Sequence, residues 1–177
     1  FLELIIDPAC SIVFEAEPAE PGIMRRPPRP PRAPLFDRRI LLLSLCQGAG
    51  ALAAILIMLA AGARLGHPGA DARRTLVFVA LVFANLGLIL ANRSWTRPLW
   101  AALRSPNRAL WWVLGSAAAA LVPLLTVPAL RELFHFSRLH AADILLGAGA
   151  GLAGVLWFEL VKLTPLLKPA GGAGRGS

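Results

Sequence analysis

The chain has 177 residues, 56% of them hydrophobic and 16% charged, and its mean hydropathy is +0.64. A soluble domain of this length carries about 25% charged residues, so this balance, together with long apolar runs, excludes disordered, fibrous and disulfide-framework classes. Eighteen Lys and Arg against ten Asp and Glu leave a net charge of +8, but the basic residues are dispersed among polar connections rather than gathered on one face, which argues against a nucleic-acid partner.

A bilayer core about 30 Å thick takes roughly 20 apolar residues of helix, and five segments approach that length. The first, 1–14, is apolar except for Glu3 and Asp7. Its opening at Phe1, inside an apolar run and without an initiator Met, is expected of a piece of a longer chain. It lacks the basic flank of a secretory signal. The others are 39–63, 76–91, 109–127 and 143–161. The expected fold is therefore an all-α polytopic membrane bundle of about five transmembrane helices, since in lipid each spanning segment must pair its own backbone groups. Cys10 and Cys46 lie in apolar runs and read as two buried, inert thiols rather than a redox pair.

The connections alternate in charge. The loop 15–38 holds Arg25, Arg26, Arg29, Arg32 and Arg38, with Arg39 at the mouth of the next span. The loop 92–108 holds Arg93, Arg97, Arg104 and Arg108, and the tail 162–177 holds Lys162, Lys168 and Arg175. These thirteen basic residues face five (Arg64, Arg73, Arg74, Arg131 and Arg138) in the connections 64–75 and 128–142. The excess predicts that the first loop, the third loop and the C-terminus are cytoplasmic, on a multi-pass protein of the cell membrane with at least one further span ahead of the first. Trp95, Trp111 and Trp112 around the start of the fourth span, and Trp157 near the end of the fifth, fit an interfacial aromatic belt. Pro18, Pro21, Pro27, Pro28, Pro30, Pro31 and Pro34 forbid a helix over 17–34 and predict an extended, semi-rigid loop. Gly171 to Ser177 reads as a flexible end.

Glu3 and Asp7 are four apart, so on a helix their carboxylates share one face. A charge near the bilayer centre costs about 2.5–3.5 kcal/mol on insertion scales, and two acids also repel each other. A cation or protons would offset both effects, and hard cations such as Ca²⁺ take several oxygen ligands. Pro8 removes the backbone donor that would pair with the Leu4 carbonyl, making a helix break beside the acids. Acids at a broken helix are how transporters hold ions at mid-membrane. From spacing alone the alternative also stands, in which Glu3 sits at the membrane surface. Asn85, the one strongly polar side chain of the third span, either adds an amide oxygen to the same metal site or bonds a neighbouring helix.

The remaining motifs carry no catalysis. Gly149-x-Gly151-x-x-Gly154 has the dinucleotide spacing but no preceding strand, and Gly147-xxx-Gly151 is better read as a close-packing helix face. Glu159 and Lys162 read as an interfacial pair, and Asp143 as a helix start. His67, His135 and His140 are scattered, with no further ligand to complete a zinc site.

The run FLELIIDPACSIVFE over 1–15, followed by IMRRPPRPP over 23–31 and Pro34-Leu35-Phe36, closely resembles the sixth membrane helix and following cytoplasmic loop of P-type cation-transporting ATPases, in the branch with the calcium pumps. The order of spans and basic loops is similar to helices six to ten of that family. The resemblance implies that Asp7 is the ion-binding carboxylate at the unwound part of the helix. It places Glu3 where those pumps have an amide ligand and Ile6 where they have a hydroxyl. The acidic ligand of the eighth helix has no counterpart beyond Asn85. This set implies one transported cation, Ca²⁺ first and a monovalent or proton-coupled cation second. Glu15, Glu17, Glu20, Arg25 and Arg26 fall in the loop that in the family contacts the phosphorylation domain, and would couple the ion site to hydrolysis.

The family's Asp-Lys-Thr-Gly motif, nucleotide domain, actuator domain and fourth helix are not in this sequence. The resemblance therefore implies the C-terminal transport part of a larger pump. Its partners would be membrane lipid and the pump's N-terminal helices and cytoplasmic domains, and it would meet Mg²⁺ and ATP only through those domains. The rival expectations are a stand-alone five-span scaffold or regulatory subunit, and a channel built on Glu3 and Asp7.

Overall fold

The computed structural model describes residues 11–17, 38–64, 69–93 and 107–162, and all regular structure among them is helical. Glu3, Asp7, Pro8, Glu20, Arg25 and Arg26 lie outside the described residues. After a short helical stretch over 11–15 come α1 (Arg38–Arg64), α2 (Ala70–Asn92), α3 (Arg108–Thr126), α4 (Pro128–Phe134) and α5 (Ala141–Lys162). Four of these, α1, α2, α3 and α5, are long and apolar enough to cross a membrane.

Local chemistry sets the helix ends. α2 begins at Ala70, ahead of the apolar run that opens at Leu76, because Asp71 in its first turn faces the positive end of the helix dipole. The Thr75 hydroxyl donates back to the Asp71 carbonyl at 2.7 Å. α3 starts at Asn107, whose side chain accepts from the Leu110 amide at 3.1 Å, an N-cap bond. It stops at Val127, which is extended and followed by Pro128 at the first position of α4, where a proline loses no helical bond. Thus the segment read as an outer loop contains a seven-residue helix. α4 closes on His135 in the left-handed region, φ 54°, with the Phe136 amide reaching the Arg131 carbonyl at 2.7 Å. α5 opens with the His140 amide donating to the Asp143 carboxylate at 3.1 Å, one half of a capping box.

Contacts between glycines and their neighbours give the helix directions. On α5, Gly147 meets Leu76 and Val79, Gly151 meets Ala80 and Ala84, and Val155 meets Gly87, so α5 and α2 run parallel. Gly154 meets Ala54 and Gly50 while Trp157 reaches Gly50, so α1 runs antiparallel to α5. α1, α2 and α5 therefore form a three-helix core, with Met58, Leu76 and Ala80 buried in one layer and Ala51, Ala84 and Val155 in another. α3 attaches differently. Its first turns pack Leu110 and Val113 against Val13 and Ile89.

These directions gather one set of ends together: the start of α1, the end of α2, the start of α3, the end of α5 and residues 15–17. The opposite end carries the end of α1, the start of α2, α4 and the start of α5. The outer surface is apolar, with Leu42, Leu45, Ile57, Leu145 and Leu160 all exposed. In water such a surface would drive association, whereas in a bilayer it is the lipid face. Cys46, expected to be buried, is instead exposed on α1, where an apolar thiol sits comfortably against hydrocarbon.

Candidate functional site

The most densely bonded polar cluster described lies where residues 15–17 meet the ends of α2 and α3. The last turn of the 11–15 stretch tightens, the Glu17 amide bonding the Phe14 carbonyl at 3.2 Å. That shift to a shorter repeat leaves the Val13 carbonyl without its usual partner one turn on. Asn107 takes it: Nδ2 donates to the Val13 oxygen at 3.1 Å and to Glu17 Oε2 at 2.9 Å. With Oδ1 capping α3, Asn107 links two helices through one amide.

Arg93, which caps the C-terminus of α2, completes the cluster. Its Nε donates to Glu17 Oε2 at 2.8 Å and its Nη2 to Oε1 at 3.2 Å, a bidentate fork that fixes both distance and plane. The Arg93 side chain is 1% exposed and that of Glu17 is 19% exposed. A cation at a helix C-terminus is favourable. Even so, drawing two charges out of water costs about as much as their attraction returns, while removing one partner costs on the order of 3 kcal/mol. The pair is therefore a device for geometry more than for stability. Beneath it lies an apolar floor of Val13, Ile89, Leu110 and Val113.

The other sequence-selected residues separate. Glu15 is exposed. Asn85 is half-buried within α2, and its Nδ2 donates to the Leu81 carbonyl one turn back at 3.0 Å, which leaves Oδ1 as the atom with capacity for a cation or donor. Among the described residues no three His, Cys, Asp or Glu side chains gather in a metal-binding group. Gly147 and Gly151 lie against α2: an added Cβ at Gly147 would stand 3.2 Å from the Leu76 carbonyl oxygen, and at Gly151 it would overlap that of Ala80.

Sequence reasoning missed three members of this picture. Arg93 was read only as one of several loop cations, and nothing in a linear pattern pairs it with a residue 76 positions away. Asn107 had a signal, a capping amide directly before the helical run Arg108-Ala-Leu-Trp. Gln47, 4% exposed on α1, lies one turn before Gly50 and Ala51 on the face toward α5. No nucleophile–base pair occurs in the cluster; its chemistry is that of a joint between chain segments.

Comparison with known proteins adds an independent line. The family described as Cation transporting ATPase, C-terminus, matches residues 1–164. The chain is 26% identical over 164 residues to calcium-transporting ATPase type 2C member 2 of Rattus norvegicus, an alignment covering 92% of this chain and 17% of that protein. The protein of the same name from Mus musculus is 27% identical over the same length, again with 92% and 17% coverage. The chain thus spans about a sixth of the length of these curated relatives.

Proposed function

This chain belongs to the family of cation-transporting ATPase C-termini, and on that premise we propose that it is the C-terminal transport region of a P-type pump that moves a cation, Ca²⁺ first, across a cell membrane at the expense of ATP. The observation that carries this reading is the family match running without a break from the acidic first segment through four apolar helices. In this reading Asp7 and Glu3 hold the transported cation, Asn85 turns an amide oxygen toward it, and Pro8 keeps the backbone open beside it. Two carboxylates cancel the charge of one divalent cation, and the site needs no solvent to do so.

Glu15, Glu17, Glu20, Arg25 and Arg26 pass the state of that site to the cytoplasmic domains. Those domains, with the N-terminal helices, are the partners that bring ATP and Mg²⁺. The helix ends that carry Arg38, Arg93 and Arg108 lie on the cytoplasmic side with the C-terminus, a placement that the excess of positive charge there favours.

The test is ATP hydrolysis by the intact, full-length protein in detergent or lipid across a panel of cations. Stimulation by Ca²⁺ at micromolar concentration is expected, and a flat response across the panel would sink the reading. Glu3→Gln removes one charge while keeping an oxygen. It should weaken cation affinity by about tenfold, near 1.4 kcal/mol, as read from the half-saturating cation concentration.

A further inference from the structure

We propose that Glu17, Arg93 and Asn107 form a positioning clasp that holds Glu17, the residue directly before the 18–37 segment, in fixed register with α2 and α3, so that movement at the ion site is passed along the chain instead of being lost between helices. This rests on the pump reading above, and deepens it by naming residues on α2 and α3 that act through Glu17.

Three observations carry it. First, the pairing is long-range and convergent: Glu17 meets Arg93 and Asn107 across 76 and 90 positions of chain. Second, its geometry is rigid. The two-point fork at 2.8 and 3.2 Å fixes the carboxylate plane against the end of α2. Asn107 bonds the same carboxylate, the Val13 carbonyl and the Leu110 amide, which ties the last turn of the 11–15 stretch to the first turn of α3. Third, the apolar residues below it come from the same three segments, Val13, Ile89, Leu110 and Val113. The polar clasp and the apolar floor therefore move as one body.

Glu17 is ten positions beyond Asp7 and immediately precedes the proline-punctuated loop. A stiff anchor at this place divides the chain into an ion-binding part before it and a loop after it. Loosening the anchor lets the loop lose its orientation while the ion ligands stay intact. Affinity for the cation is then preserved, and the linkage between cation and ATP is what fails.

The experiment uses the intact pump reconstituted in lipid vesicles, with Ca²⁺ uptake and ATP hydrolysis measured together and thermal unfolding followed in parallel. Glu17→Gln is expected to lower the cations moved per ATP by about fivefold or more, with the half-saturating Ca²⁺ concentration unchanged within about twofold. Arg93→Lys keeps the charge but not the fork, and should shift the same ratio in the same direction, less far. It carries the test if Glu17→Gln is not recovered folded. The double variant Glu17→Gln/Arg93→Lys should be no worse than the worse single change, because both break one unit. A lowered unfolding temperature with an unchanged ratio of cations to ATP would reduce the cluster to scaffolding and overturn the proposal. Wild-type protein with no cation-stimulated hydrolysis would instead overturn the pump reading itself, whatever the variants do.

Discussion

Asp7→Asn in the full-length protein is expected, on the proposed pump reading, to abolish cation-dependent phosphorylation from ATP while leaving expression unchanged. The substitution keeps the size of the side chain and one oxygen, but removes the negative charge that makes a hard cation worth taking from water. On the proposed reading Asp7 is the ligand at the Pro8 helix break and Glu3 an auxiliary carboxylate four positions earlier, so losing Asp7 takes away the site's principal charge for a divalent ion in a low-dielectric setting. Removing one partner of a buried charge contact costs about 3 kcal/mol or more, which is over about a hundredfold in affinity. The phosphoenzyme formed from labelled ATP, measured across cation concentrations, reads this directly. An unchanged cation dependence would remove Asp7 from the site. Asn at this position also loses the repulsion against Glu3, so the folded protein should be no less stable than wild type. That separates a binding defect from a folding defect.

The all-α membrane character was legible because the bilayer imposes a length and a polarity that few other environments do. Runs such as Ile40 to Gly62 have no soluble alternative. The Gly147–Gly151 spacing was also visible, since two glycines four apart leave a groove on one helix face, though which helix fills it is a tertiary fact: Leu76, Ala80 and Ala84 of α2 do so. Gly154 serves a second partner, α1, through Gly50 and Ala54, and a linear pattern that looked like a nucleotide fingerprint is in effect two packing faces on one helix. The clasp was not legible. Glu17 stood out through a resemblance, but its fork with Arg93 joins residues whose neighbourhood is created only by helix packing. The short helix α4 was hidden for a different reason: a proline inside a helix normally ends it, and Pro128 instead begins a new one after Val127 resets the backbone.

Gly151→Leu should break the α2–α5 interface, and the reason is the kind of atom it would meet. A Cβ at Gly151 overlaps the Ala80 carbonyl oxygen and lies 2.9 Å from the Ala84 amide nitrogen and 3.0 Å from the Ala80 carbonyl carbon. These are backbone atoms held by helical hydrogen bonds, so neither can swing aside as a side-chain tip would; the two helices must separate. Between helices in lipid, association rests on such close packing rather than on escape from water, so the lost contact has no hydrophobic reserve behind it. Overpacking of this kind costs about 1–3 kcal/mol and more where the backbone must move. Gly151→Leu is therefore expected to lower the unfolding temperature sharply in detergent, or to yield little monodisperse protein. Gly149→Ala supplies the control on the same helix. Nothing lies within 4 Å of a Cβ there, and exchanging glycine for alanine inside a helix favours it by about 0.5–1 kcal/mol. Two glycines two positions apart should thus respond with opposite signs. If Gly151→Leu unfolds at the same temperature as Gly149→Ala, then α2 and α5 do not approach through this groove, and the parallel pairing that brings the ends of α2 and α5 together would have to be abandoned.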